Sequence, residues 1–147
     1  MSNWTALLIP VAAGSLMAVQ GVLNTLLNKN LGLWPATLLV HLLGLAGVGA
    51  VLIFTGTGFP TWGKISTVPW YAYLGGFINV AIIATVVLGI SRLGAISATT
   101  AIIVGQVSTA ALLDYLGLAG LTPKQPQWTH LAGLLLLVIG ARLLLQK

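Results

Sequence analysis

Few side chains in this 147-residue sequence can do chemistry. The single carboxylate is Asp114, inside the otherwise oily stretch "GQVSTAALLDYLGL" at 105–118. Two imidazoles, His41 and His130, lie 89 positions apart, and cysteine is absent. One acid and two distant histidines give no expectation of a metal site within one chain, and no cofactor is expected. Nor is there an arranged nucleophile and base, so the chain is not expected to be an enzyme. The remaining chemistry is uncharged hydrogen bonding. Gln20, Asn24 and Asn28 recur at i, i+4 and i+8, which places them on one face of a helix. Thr99 and Gln106, seven apart, share a face of a later one, and Asn79 lies in sequence between these two groups. Carboxamides donate and accept without charge, a chemistry suited to a small polar or cationic solute.

The elements that must hold these groups follow from composition. Hydrophobic residues make up 58% of the chain and charged residues 5%, whereas a soluble domain carries about 25% charged residues. Such a chain cannot cover a water-facing surface, so an integral membrane protein is expected. The six Lys and Arg, giving a net charge of +5, are scattered singly at the edges of apolar runs. That pattern points to lipid headgroups and topology rather than to nucleic acid.

A helix needs about 20 apolar residues to cross the hydrocarbon. Five runs qualify, at roughly 4–27, 35–55, 70–90, 95–118 and 128–145. Period-two alternation is absent, which argues against a barrel. The expected fold is a single all-α domain of five transmembrane helices with short loops. Trp4, Trp34, Trp62, Trp70 and Trp128 fall near the proposed edges, where an indole finds both apolar and polar surroundings.

Five spans put the two chain ends on opposite sides. One side receives Lys64 and Lys124; the other receives Lys29, Arg92, Arg142 and Lys147, a count of two against four. The N-terminal amine narrows the difference. Near-balance is what a chain inserting in both orientations requires. Five short helices can hardly enclose a solute path alone, but pairing with an upside-down copy recreates the inverted-repeat plan of larger transporters.

Polar groups deep in a span face protein or a water-filled cavity. Gln20 and Asn24 are therefore read as either interhelical hydrogen bonds or cavity lining, and Asn79, Thr99, Gln106 and His41 join them as cavity candidates. Asp114 shares a stripe with Thr100, Ile103, Val107, Ala110 and Ala111, small enough for another helix to approach. It either orders a helix end through a cation or binds a proton. Arg92, 22 residues away and about 33 Å along a helix, cannot reach it within one chain; the Arg92 of an inverted partner can, as can Lys124 of the same chain.

The patterns "GSLMAVQGVLNTLL" (14–27), "YLGGFINVAIIATVVLGISRLGA" (73–95) and "GQVSTAALLDYLGL" (105–118) resemble the YdcZ family of the drug/metabolite transporter superfamily. The matching positions are Gln20, Asn24, Gly75, Gly76, Arg92, Leu93, Gly94, Gly105, Gln106 and Asp114. The resemblance implies one half of a two-repeat transporter, with antiparallel homodimers among its members. It does not fix the residues that touch substrate. Small multidrug-resistance exporters of the same superfamily use a Glu in their first helix; this chain has Gln20 and Asn24 there instead.

The expectation is thus a small-molecule transporter working as a dual-topology antiparallel dimer, with membrane lipid and its own inverted copy as partners and no nucleic acid. A small dual-topology channel and a non-transporting scaffold subunit are the alternatives. Polar stripes interrupted by Leu and Ile favour an occluded site over a continuous pore.

Overall fold

The computed structural model describes residues 3–117, 122–123, 125 and 127–145, with side chains described from Ala6 onward. Its described elements are all helical: α1 (Asn3–Leu31), α2 (Leu33–Thr55), α3 (Trp62–Ile65), a 3-10 turn (Trp70–Tyr73), α4 (Leu74–Leu93), α5 (Ala95–Leu116) and α6 (Trp128–Leu145). Five segments, Ala6–Leu31, Leu33–Thr55, Trp70–Leu93, Ala95–Leu116 and Trp128–Leu145, are long and apolar enough to cross a membrane. The expected five-span, all-helical plan therefore stands.

Contacts divide the chain into two compact units, Met1–Leu88 and Gly89–Lys147, with the boundary inside α4. In the first unit α1 packs on α2. The contact uses small and polar residues. Asn24 and Thr25 of α1 are buried, as are Ala36 and Thr37 of α2. The Thr25 hydroxyl donates to the Gly21 carbonyl at 2.8 Å and that of Thr37 to the Leu33 carbonyl at 2.8 Å. Both hydroxyls are thus satisfied inside their own helices, and the interface needs no polar partner for them. In the second unit α5 packs on α6.

Two helix joints consist of one glycine each. Gly32 links α1 to α2 with φ 84 and ψ 162, and Gly94 links α4 to α5 with φ 81 and ψ 166. Side chains other than hydrogen do not fit this region of backbone space. Each glycine N–H closes the outgoing helix, to the Asn28 and Ile90 carbonyls at 2.9 Å. Each glycine carbonyl opens the next, accepting from Ala36 and Ala98 at 3.1 Å. Both alanines are buried.

These joints lengthen the helices beyond the apolar runs. The "NKN" at 28–30, expected to end the first span at 27, is helical up to Leu31. Asn30 donates from Nδ2 to the Leu26 carbonyl at 2.9 Å, so its polar group is absorbed by the last turn. In the same way α4 continues through Arg92 to Leu93. On the other side of the spans, α3 and the 3-10 turn form a folded link, with the Tyr73 hydroxyl donating to the Ile65 carbonyl at 2.6 Å. Trp34, Trp62, Trp70 and Trp128 are exposed and stand in the first turns of helical segments, as interface anchoring requires. The expected Trp4 anchor lies outside the described side chains.

Candidate functional site

In the first unit, α1 supplies Gln20 and Asn24. They line one shallow depression with Leu16, Met17, Val19 and Leu23. The two carboxamides differ in setting. Gln20 is exposed, whereas Asn24 is only 6% exposed. Asn24 still borders the depression, and no described buried side-chain nitrogen or oxygen lacks a hydrogen-bond partner.

The structure also brings His41 and Asn79 together, which were separate candidates in the sequence. Asn79 Nδ2 lies 3.1 Å from His41 Nε2, and His41 Nδ1 lies 2.8 Å from the Thr37 carbonyl oxygen. The pair joins α2 to α4 across 38 residues of sequence.

In the second unit, the stripe of Thr100, Ile103, Val107, Ala110, Ala111 and Asp114 faces α6 of the same chain. Its residues line hollows together with Gly133, Leu134, Leu137, Gly140 and Ala141. The close-packing helix expected from the small residues is therefore an intramolecular neighbour. Asp114 and His130 together line two adjoining hollows of about 330 and 360 Å³, which Tyr115 and Gln125 border on one side and Thr129 on the other. His130, Tyr115 and Gln125 carried no role in the sequence reading. The signal was available: antiparallel helices joined by a short link put the end of α5 beside the start of α6, and Asp114 and His130 occupy those two places.

Thr99 and Gln106 line none of these α5–α6 hollows, and Gln106 is exposed. Arg92 stands in the last turn of α4, before Gly94, at the opposite end of α5 from Asp114. Lys124 lies outside the described residues.

A family model with the description "Putative inner membrane exporter, YdcZ" matches residues 5–143, nearly the whole chain. No curated protein and no solved structure matches it.

Proposed function

We propose, because this chain belongs to the YdcZ family of inner membrane exporters, that it moves small polar or cationic solutes across that membrane as an antiparallel pair of identical chains. The observation that carries the reading is Asn24. Its carboxamide borders an open depression on a membrane-spanning helix, where polar groups face protein or a water-filled cavity. Gln20 continues the same depression one turn away. Two inverted copies would place two such faces at one interface, near the membrane midplane, as in transporters with fused inverted repeats. Symmetry then supplies alternating access. If the two chains exchange conformations, the open side of the pair changes from one face of the membrane to the other without any new structure.

The experiment is a solute screen on purified protein in liposomes, followed by Gln20→Leu/Asn24→Leu in the same assay. Loss of flux with an intact dimer, measured by cross-linking, is expected. A double variant that transports normally would move the cavity elsewhere. The channel reading separates in the same vesicles: a channel passes solute with no saturation in the range where a carrier saturates.

A further inference from the structure

The two hydrogen bonds of His41 define where its protons are. The partner of Nδ1 is the Thr37 carbonyl oxygen, 2.8 Å away. A carbonyl only accepts, so Nδ1 carries a hydrogen in every state that keeps this contact. The partner of Nε2 is Asn79 Nδ2, 3.1 Å away. A carboxamide nitrogen only donates, so Nε2 presents its lone pair. The geometry therefore describes a neutral imidazole in one tautomer, with the tautomer set by the bond that the other ring nitrogen makes.

A second proton can enter only at Nε2. Two donors would then face each other, and the contact survives in one way. The Asn79 carboxamide turns by half a revolution, so that Oδ1 accepts from Nε2–H. This turn also changes what Asn79 shows on its other side. With His41 neutral, Asn79 directs its carbonyl oxygen away from the ring, as an acceptor. With His41 protonated, it directs its NH2 away, as a donor. Asn79 is exposed within a membrane-spanning segment, and His41 is half-buried behind it.

We propose that His41 and Asn79 form a proton-controlled selectivity element, in which the proton on His41 decides whether Asn79 offers an acceptor or a donor to the transported solute. The inference rests on the transporter reading above. The neutral state favours solutes with N–H groups, such as amines. The protonated state favours solutes with carboxylate or carbonyl oxygens, and the imidazolium charge adds to that preference. One proton enters from water at Nε2 and returns to water from the same atom; Nδ1–H stays in place throughout. Few other charges act on the pair. α1 packs on α2, and its ionisable side chain among the described residues is Lys29, at the Gly32 joint. α2 has none besides His41, and α4 has none before its last turn, where Arg92 stands. His41 is nine positions along from Gly32, roughly 13 Å by helical rise.

The test uses full-length protein in lipid nanodiscs with 15N-labelled His and Asn, the two histidines being told apart by His130→Gln. At high pH the neutral His41 is expected to carry its hydrogen on Nδ1. On acidification Nε2 gains a proton, and the Asn79 side-chain NH2 resonances move over the same pH range. A hydrogen on Nε2 in the neutral state, a His41 that never titrates between pH 4 and 9, or a static Asn79 amide while His41 titrates would each overturn the proposal. A flux arm compares an amine series with a carboxylate series in liposomes above and below that range. The preference is expected to swing by about tenfold, and to become independent of pH in His41→Gln. If solutes move with a preference that ignores pH, the selectivity role is wrong. If the NMR switch operates but no solute of either series moves, the transporter reading fails and the switch stands.

Discussion

Asp114 is the residue whose place in the structure alters its meaning most. It is half-buried near the end of α5 and shares its hollow with His130 of α6. Three groups are candidates to pair with it: Arg92 of the proposed inverted partner, Lys124 of the same chain, and His130. Double-mutant cycles tell them apart, because two substitutions that break one interaction do not add. Asp114→Asn is expected to destabilise the dimer by about 1.5–3 kcal/mol, the range for a hydrogen bond to a charged group. The loss is expected to be non-additive with Arg92→Gln and additive with His130→Gln, read from dimer dissociation in mild detergent. Non-additivity with His130 alone would make the acid an intramolecular α5–α6 clasp. A stable dimer that has lost pH-driven uptake would make it a proton site. The sequence revealed the polar residue types and their shared faces, because helical spacing is written directly into it. It did not reveal that His41 meets Asn79. Their separation of 38 residues has no periodic signature, and the meeting depends on how α4 lies against α2.

At the scale of elements, the number of spans and their apolar centres were legible, since each needs about 20 apolar residues. The ends were less so. A polar run such as "NKN" reads as a loop, yet at a membrane edge the last helical turn is free to be polar, and Asn30 bonds within it. The one-residue joints were equally hidden. Each glycine in "LGL" at 31–33 and "LGA" at 93–95 looks like ordinary helix-packing glycine until its backbone angles are known. Those angles make a prediction. Gly32→Ala and Gly94→Ala should each cost about 1–3 kcal/mol through backbone strain. A Cβ at either position meets no atom within 4 Å, so crowding does not contribute. Gly14→Ala is the control: its Cβ also meets nothing, but Gly14 lies within helical α1, where alanine is the better helix former by about 1 kcal/mol. Denaturant-induced unfolding in bicelles measures all three. Equal stability of the Gly94 and Gly14 variants would show that the joint relaxes without strain.

At the scale of the whole molecule, the question is which way the chain lies in the membrane. The sequence gives an arithmetic answer, two Lys or Arg against four, and the structure adds a place to change it. Lys64 sits in α3, between the spans, where Phe59 and Thr61 precede it in the same link. Phe59 is exposed, and Thr61 makes no side-chain cap bond to α3. Phe59→Lys and Thr61→Lys therefore add two charges to the lighter side at little structural cost, bringing it level at four against four before the N-terminal amine is counted. Orientation follows the side with more Lys and Arg near short loops. The expected result is a large rise in molecules with that link in the cytoplasm, read by labelling a single cysteine placed at Thr57 from outside intact cells. The reciprocal change, Lys29→Gln with Arg92→Gln, should move the population the same way. If the wild-type chain already labels from both sides and both changes shift the ratio, antiparallel pairs can form from one gene product. A chain that keeps a single orientation through both changes has its topology set by something other than this charge difference. It could not supply its own inverted partner, and the antiparallel homodimer would have to be abandoned.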